Sequence, residues 1–557
     1  MTDGSGDAPA PLTVSRVLGD TPFAPVGRPT AVASDPARGV VVVGGSLGAL
    51  QWPGWLVGGR TAQHRVGVFP PDGARCLAIR PSRWPVNAVA LHPRLPLAAV
   101  GTGSYDGGYA FEGELILLDL RSGDSVSVLR YGREIRTLSW CGDDTLDVVA
   151  SPFTDYEDAG AHTHGHAFSL TCDDWTSVPE RGFTVAEQTG PRVPCALPDD
   201  TSGAEQELAG ICAAAGVRWS TRRLVWAVEP HAAHGEGSVV AALDGVAAES
   251  WTPAGTRAWS VPDDVGGRQL HPAPDGRSVW VAAPQHAVWT NRRWQWLPTR
   301  VERLSLADGA VLDTLDTTGT SVLTGSTEGW FALRDAEPGG TANHGPAQVF
   351  AAGRSGAPVG DLRLSGYDSV NHYFAVRRSP HLLFLSGSGK HHHLDKHVVV
   401  AEPAAGGQGW SVRTLFPLEW QTDRPRHLFG GPGAYLHDGL GAAVVHAGAV
   451  HDGHGLLPGN AFVVRRRLPD GAPAWVFTAD HAPTAVDTDG PTVYAAFTDG
   501  EVVALESLTG RVRWRHHLAV DGVATVALSL AAMPTGSLLL GTWDGRILDC
   551  RAAPAPA

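Results

Sequence analysis

The sequence predicts an all-β protein made of short antiparallel strands joined by tight turns. Residues 485–518 contain three apolar or alternating runs, PTVYAAF, EVVALES and RVRWRHH. Asp499-Gly500 joins the first two runs and Thr509-Gly510 joins the last two. Asp-Gly between β-branched runs is a strong hairpin signal, because a tight primed turn needs positive φ at its centre. The 68 glycines and 41 prolines among 557 residues fit many short strands, each ending in a turn.

The same meander recurs along the chain. GEVVALESLTG at 500–510 has counterparts in GELILLDLRSG at 113–123 and RVERLSLADG at 300–309. Candidate second strands of ten such units follow at a spacing of mostly about 50 residues. They start at Val40, Leu97, Leu146, Leu224, Ser278, Gly329, His381, Ala442, Thr492 and Leu538.

Two of these stretches resemble known repeats. VVALESLTGRVRW at 502–514 resembles the outer-strand signature of PQQ-like β-propeller repeats, and GTWDGRI at 541–547 looks like a degenerate WD40 repeat. The likeness covers the clearest repeats well and the middle of the chain loosely. It implies four-stranded antiparallel blades arranged around an axis and leaves function open, and nothing beyond the repeat signature supports bound PQQ.

The two ends of the chain predict ring closure. LTVSRVL at Leu12–Leu18 has no hairpin partner nearby, and the last unit, 523–552, offers three strands instead of four. If Leu12–Leu18 supplies the outer strand of the last blade, no open edge remains. We therefore predict a closed β-propeller of about eight to ten four-stranded units over residues 12–552, with a disordered leader at 1–11 and a tail at 553–557. Two smaller propellers are the alternative.

Residues 179–216 predict a small helical insertion that braces the ring. Ser202 and Glu205 have the spacing of a capping box, and Gly216 stands where a helix C-cap belongs. Between them, Leu208, Ile211 and Cys212 form an apolar stripe.

Composition limits the partners. The formal net charge of −14 argues against a nucleic acid or an anionic membrane, since both require a basic face. The N-terminal segment lacks the basic and apolar regions of a signal peptide, and no apolar run reaches the roughly 20 residues that span a bilayer. Six cysteines without a CxxC pair favour reduced, buried thiols. Lys390 and Lys396 are the only lysines, which together with heavy Ala, Gly and Pro usage suggests a GC-rich bacterial genome. We expect a cytoplasmic bacterial protein, and the sequence leaves its oligomeric state open.

Long loops predict where function lies. In several units the extra residues fall between the second and third strands, so these loops should gather on one face, where loops on a rigid scaffold commonly carry function. Aromatic residues in the loops are typical interface anchors. The predicted binding residues are Trp52, Trp55, Tyr105, Tyr109, Trp289, Trp294 and Trp296.

Histidines in the same loops suggest a metal site, and further histidines fall in two more predicted loops, EPHAAHGEG at 229–237 with His231 and HAGAVHDGHGLLPGN at 446–460 with His446. His162, His164 and His166 alternate, and would project from one face if the segment is extended. Imidazole suits Zn, Fe or Cu. The predicted ligands are His162, His164, His166, His391, His393 and His397, and solvated polar loops are the alternative.

Three functions follow from these patterns. The first is a scaffold that binds a protein partner through the loop face, which the lack of a complete catalytic constellation favours. The second is a metal-dependent hydrolase, lyase or oxidase, with Asp155, Glu157, Asp158 or Asp395 as acid or base. The third is a binder of small molecules or glycans, which needs a pocket at the ring axis.

Overall fold

A computed structural model gives the fold of most of the chain. It describes residues 11–52, 55–56, 63–156, 158, 160–186, 189–197, 201–283, 286–290, 293–297, 300–317, 320–336, 347–354, 356–364, 373–387, 396–404, 409–418, 427–451, 456–468, 470–534 and 536–553. The described residues are mainly strands, with one α-helix and a short 3₁₀ turn at Ala24–Val26. No helix among them is both long and apolar enough to cross a membrane.

The strands up to residue 200 have the following bounds: β1 (Leu12–Leu18), β2 (Arg28–Asp35), β3 (Val40–Ser46), β4 (Gln51–Trp52), β5 (Trp55–Leu56), β6 (His64–Phe69), β7 (Ala78–Ser82), β8 (Val86–Leu91), β9 (Leu97–Thr102), β10 (Ser104–Tyr105), β11 (Phe111–Glu112), β12 (Leu115–Asp119), β13 (Ser125–Ser127), β14 (Ile135–Trp140), β15 (Thr145–Ala150), β16 (His164–Thr171) and β17 (Arg192–Pro194).

The middle of the chain contains α1 (Ser202–Ala214), β18 (Val225–His231), β19 (Ser238–Trp251), β20 (Arg257–Gly266), β21 (Gln269–Pro272), β22 (Ser278–Ala282), β23 (His286–Thr290), β24 (Arg293–Leu297), β25 (Arg300–Ser305), β26 (Val311–Asp316), β27 (Thr320–Ser326), β28 (Trp330–Ala336), β29 (Ala347–Ala351) and β30 (Gly360–Leu362).

The last part contains β31 (Ala375–Arg377), β32 (Leu382–Gly387), β33 (Lys396–Pro403), β34 (Trp410–Pro417), β35 (His427–Phe429), β36 (Pro432–Asp438), β37 (Gly441–His451), β38 (Leu456–Arg467), β39 (Pro473–Ala479), β40 (Pro483–Thr488), β41 (Thr492–Phe497), β42 (Glu501–Glu506), β43 (Val512–His517), β44 (Ala519–Val520), β45 (Val523–Ala524), β46 (Ala527–Ala532), β47 (Ser537–Thr542) and β48 (Ile547–Ala552).

Ten meander sheets of three or more strands account for most of these strands. In chain order they are sheet one (β2-β3-β6-β7), two (β8-β9-β12-β13), three (β14 to β17), four (β18 to β20), five (β21-β22-β25-β26), six (β27 to β30), seven (β32 to β34), eight (β36 to β39 with β31 and β35), nine (β40 to β43) and ten (β46 to β48 with β1). Successive antiparallel meanders of this kind are the construction of β-propeller blades. The ten sheets agree with the predicted number of about eight to ten units. Sheets four and seven, however, have three strands and sheet eight has six.

The predicted second strands are correct in eight of the ten units. The runs at Leu224 and His381 are instead the first strands of the three-stranded sheets four and seven. The predicted Asp499-Gly500 turn has positive φ only at Gly500 (φ 90°), so it is not a primed turn. Gly500 instead donates its N–H to the carbonyl of Phe497 at 3.0 Å and ends a longer loop.

The outer strand of sheet ten comes from β1, as predicted from the ends of the chain. Leu12 pairs with Ala552 and Leu18 with Ile547 in an antiparallel ladder. Arg16 and Asp549 form an ion pair of 3.0 Å across it. The edge of β48 is thereby covered.

Apolar clusters join each sheet to the next in two groups. One group runs from sheet one to sheet three, and the other from sheet four to sheet ten. Sheet ten packs against sheet four, where Val228 and Ala241 share a buried cluster with Leu539. Leu47, which follows β3 of sheet one, shares a further buried cluster with Leu528 and Trp543 of sheet ten. Ser529 of β46 also donates a hydrogen bond of 3.0 Å to the carbonyl of Val225.

Sheets one to three form an arm beside the other seven sheets. Helix α1 covers one face of sheet one with Leu208 and Cys212, and Arg28 holds Glu205. At the other end, the outward face of sheet three is polar; Ser139, Asp147 and Ser169 lie directly opposite one another on it. The outer face of sheet one is thus covered by α1, and the outer face of sheet three can contact water. Neither face therefore requires a further sheet to bury it.

The helix lies within the predicted insertion, but its caps differ in part from prediction. Thr201 is the N-cap and Ser202 is the first helical residue, so the predicted capping box at Ser202 is wrong. Gly216 has positive φ (76°) and donates to Ala213, while Val217 donates to Cys212 at 2.9 Å. These two bonds form a Schellman motif, which confirms the prediction for Gly216.

Candidate functional site

Two long loops of sheets two and three are joined into one surface. We call residues 104–112, 151–156, 158 and 160–163 the paired loops. β10 and β11 pair within the first loop, and Phe111 donates its N–H to the carbonyl of Phe153 at 2.9 Å. Asp155 donates its N–H to the carbonyl of Tyr109 at 3.0 Å. Loops of neighbouring units therefore do meet on one face here, as the sequence predicts.

Asp155 lies at the centre of the paired loops. Its Oδ2 accepts a hydrogen bond of 2.7 Å from the Tyr105 hydroxyl and lies 3.5 Å from Nε2 of His162. The His162 ring packs against the rings of Tyr105 and Phe111, with centroids 4.7 and 5.1 Å apart. The hydrogen bond to Asp155 raises the pKa of Tyr105 to about 12, since it stabilises the protonated phenol.

A buried arginine side chain holds the end of the second paired loop and the backbone next to it. Arg136 donates to the carbonyls of Ala161 (2.9 Å), His164 (2.8 Å) and Cys195 (3.0 Å). Its Nε contacts Glu134 at 2.8 Å. Because a planar guanidinium offers five donors in a fixed geometry, one side chain fixes three backbone positions.

Exposed side chains project from this fixed base. Tyr109 is 63% exposed and Tyr156 is 77% exposed. Asp106 accepts the N–H groups of Gly108, Tyr109 and Ala110, which lowers its pKa. Asp158 forms an ion pair of 2.7 Å with Arg192. The surface thus combines two protruding tyrosines with three carboxylates.

The predicted histidine ligands do not all lie in the same part of the structure. His164 and His166 share a face of β16, whereas His162 precedes the strand and packs in the paired loops. Nδ1 of His166 is buried without a hydrogen-bond partner among the described residues. His397 lies on β33, and His391, His393 and Asp395 are outside the described residues. Within the described part of the chain, no three His, Cys, Asp or Glu groups are placed to hold a metal, and metal binding stays a prediction.

The predicted tryptophans lie on two hairpins. Trp52 pairs with Trp55 between β4 and β5, and Trp289 pairs with Trp294 between β23 and β24, where Trp296 pairs with Ala287. The structure describes the backbone of these five residues but not their side chains. Their role in binding therefore stays a prediction.

Two other histidine-containing segments are not the loops that the sequence predicts. His446 lies inside β37, fully buried, and His231 ends β18. The segment after His231 connects the first two strands of sheet four, so it does not belong with the second-to-third-strand loops. The loop at His231 was misplaced because the apolar run at Leu224 was taken for a second strand. The loop at His446 does join second and third strands, but it is shorter than predicted because β37 extends to His451.

A cavity of about 330 Å³ lies among the first strands of sheets four, five, six, nine and ten and two strands of sheet eight. β18, β21, β27, β31, β36, β40 and β46 all contribute residues to its wall. Trp226, Arg268 and His271 lie on one part of the wall, and Arg377 and Arg378 on another. We call this space the axial cavity.

Four charged side chains form a cluster beside the cavity. Arg377 contacts Glu229 at 2.7 Å and Asp487 at 3.2 Å, and Arg378 contacts Asp487 at 2.9 Å. Burial raises the pKa of Glu229, although the nearby Arg377 opposes this. This cluster could not be predicted from the sequence, because Glu229 and Asp487 are each more than 100 residues from the two arginines and no local pattern links them.

No protein-family model matches the chain, and no curated protein matches it. Among solved structures, the chain is similar to BamB from Moraxella catarrhalis, with 14% identity and a TM-score of 0.32. The similarity covers 60% of this chain and 87% of that chain. At this TM-score the likeness adds nothing to the sheet topology, on which the assignment of the fold rests.

Proposed function

We propose that the protein is an interaction module that binds a protein partner through the paired loops. The observation that supports this is the combination of a fixed backbone with protruding aromatics. The loops hydrogen-bond to each other, and Tyr109 and Tyr156 stay largely exposed. A surface that is already ordered loses little conformational entropy on binding, and tyrosine is common among the residues that dominate binding energy.

The charge of this surface favours a basic segment in the partner. Asp106 and Asp155 lie beside the two tyrosines, while Asp158 is already paired with Arg192. An arginine or lysine of the partner can stack on an exposed tyrosine ring while pairing with a carboxylate. The net charge of −14 favours the same association at long range.

The scaffold of this module is, in our proposal, a closed ring of sheets four to ten with sheets one to three as a lateral arm. The cyclic order of the apolar clusters, including the one between sheets ten and four, supports seven blades in the ring. A single ring of eight to ten blades would instead need sheet ten to pack against sheet one. The paired loops would then belong to the arm, away from the ring axis.

Site-specific cross-linking tests the interaction. A photoreactive phenylalanine at Tyr109 should trap a defined partner in the native cell, and the same group at Leu508, a 47% exposed residue between β42 and β43, should not. A synthetic peptide of the trapped basic segment should then bind the purified protein. Tyr109→Ala with Tyr156→Ala should weaken that binding at least tenfold, and Leu508→Ala should not. Equal trapping at both positions, or binding unaffected by the tyrosine changes, would refute the proposal.

A further inference from the structure

Two aspartates of the paired loops fix the backbone of an exposed tyrosine between them. Oδ1 of Asp106 accepts the N–H of Tyr109 at 2.9 Å. Asp155 donates its own N–H to the carbonyl of Tyr109 at 3.0 Å. The Tyr109 side chain itself is 63% exposed. The backbone that carries this ring is therefore held at a defined place on the surface, with one aspartate bonded to its N–H and the other to its carbonyl.

Each of these carboxylates keeps one oxygen that accepts no hydrogen bond from another described residue. Asp106 accepts three backbone N–H groups, all with Oδ1. Asp155 accepts the Tyr105 hydroxyl with Oδ2 and faces His162 with the same atom. Oδ2 of Asp106 and Oδ1 of Asp155 are thus left for donors from outside the chain.

Both carboxylates lie close to one hydroxyl group. The pKa of Tyr105 is raised to about 12, first by its hydrogen bond to Asp155 and also by the charges of Asp155 and Asp106. The pKa of Asp106 is lowered by backbone N–H groups and not by a nearby cation. The two negative charges therefore act on the same small region of the surface.

No arginine of the paired loops' surroundings neutralises these two charges. Three arginines contact the described residues of the loops or the backbone next to them, and each has a carboxylate partner of its own. The pairs are Arg83 with Glu112, Arg136 with Glu134 and Arg192 with Asp158. Asp106 and Asp155 thus remain available to a cation that a partner supplies.

We propose that the paired loops bind an arginine side chain of the partner. The guanidinium stacks on the Tyr109 ring and donates to the open oxygens of Asp106 and Asp155. A planar guanidinium suits this arrangement, because its face stacks on an aromatic ring while its edge offers several donors. A lysine ammonium is a compact point charge and makes only part of these contacts. The inference rests on the function proposed for the paired loops and names the residue that the partner contributes.

Calorimetric titration of the full chain with three capped tetrapeptides tests the proposal. The titrations are run at about 0.15 M ionic strength, where charges more than about 8 Å apart are largely screened. Tetraarginine should bind with a Kd at or below about 1 mM. Tetracitrulline, which keeps the planar group without the charge, should bind at least about tenfold more weakly. Tetralysine, which keeps the charge without the planar group, should bind at least about fivefold more weakly.

Nearly isosteric variants locate the binding. Asp106→Asn and Asp155→Asn keep an oxygen acceptor for the existing hydrogen bonds, and each should weaken tetraarginine binding at least about fivefold. The matched control is Asp470→Asn, which removes the same charge from an exposed ion pair with Arg467. It should leave tetraarginine binding unchanged.

The outcomes separate this inference from the proposed function. Equal binding of tetraarginine and tetralysine, equal binding of tetracitrulline, or unchanged binding by Asp155→Asn would overturn the inference. If a partner is nevertheless trapped at Tyr109, the interaction function stands without the arginine contact. Selective binding of tetraarginine without a trapped partner would instead refute the function and leave the arginine site. Should a variant not fold, the comparison of the three peptides on the unmodified protein still decides.

Discussion

The side chain of a single residue, Asp487, joins three parts of the protein. It is fully buried and accepts hydrogen bonds from Arg378 at 2.9 Å, from Arg377 at 3.2 Å and from the backbone N–H of Ala532 at 3.0 Å. Burial alone would raise the pKa of Asp487, but the two arginines outweigh it and lower the pKa. The carboxylate thus ties sheet nine to sheet ten and to the segment around β31.

Asp487→Asn should destabilise the protein, because it keeps the volume but removes the counter-charge of Arg378 and one of the two carboxylates that hold Arg377. We expect the free energy of unfolding to fall by about 1–3 kcal/mol in urea titrations. Asp470→Asn, which breaks the exposed pair with Arg467, should change it little. Similar losses in both variants would show that the cluster contributes no more than a surface pair.

His446 should make stability depend on pH. Burial lowers its pKa to about 3, helped by nearby Arg466, whereas an unfolded histidine titrates near 6.5. Between these values the unfolded chain binds a proton that the folded chain does not. The free energy of unfolding should therefore decrease as the pH falls below about 6.5, by up to about 1.4 kcal/mol per pH unit for this group.

Urea titrations at pH 7.5 and pH 5.0 measure this dependence. His446→Gln should reduce the difference in unfolding free energy between the two pH values, and His517→Gln, at an exposed site, should not. Part of the dependence should persist in His446→Gln, because the pKa of buried His64 and of His231 is also lowered to about 4 by burial. An unchanged pH dependence in His446→Gln would contradict the prediction.

β1 is the element on which sheet ten depends. It covers the edge of β48 along a ladder from Leu12 to Leu18, and its Leu18 is buried in the cluster between sheets ten and four. An uncovered strand edge is a template for pairing with another chain.

Deletion of residues 1–18 should therefore cause self-association, since it exposes β48 and opens the cluster around Leu18. We expect loss of the monodisperse peak in size-exclusion chromatography and a lower Tm. Deletion of residues 1–10 alone removes no described strand and should leave both unchanged. Two deletions with the same elution and Tm would show that β1 is dispensable.

Local elements could be predicted because their signals are local. The hairpin glycines, the alternating runs and the Schellman glycine Gly216 act within a few residues of themselves. The errors arose where two arrangements share one pattern: LVWAV at Leu224 has the same composition whether it is the first or the second strand of a sheet. Similarly, HAGAVH around His446 reads as a loop although it extends β37.

At the scale of the whole molecule, the order of packing could not be read from the sequence. The hydrogen bond from Ser529 to Val225 joins residues 304 positions apart, and each of the two residues lies in an ordinary strand. Nothing in either strand distinguishes a neighbour in sheet four from one in sheet one. The same holds for the axial cavity, whose wall residues come from seven separate stretches of chain.

The candidate site was predicted in part for the same reason. Tyr105 and Tyr109 were expected in a binding surface because loops between second and third strands share a face, and the paired loops confirm that these loops meet. Whether His162, His164 and His166 hold a metal depends on groups that lie far away in sequence. The metal site and the cytoplasmic location stay predictions.

The pairing of β1 with β48 can form only after the C-terminal strand has been synthesised. Ser15 bonds to the carbonyl of Asp549, 534 residues later in the chain. At typical synthesis rates a ribosome takes roughly half a minute to two minutes to cover that distance. During this time Leu18 has neither its ladder nor its cluster, while the arm of sheets one to three already has all the strands that it needs. The strand pairing of sheets one to three therefore does not depend on the C-terminal end of the chain, whereas that of sheet ten does.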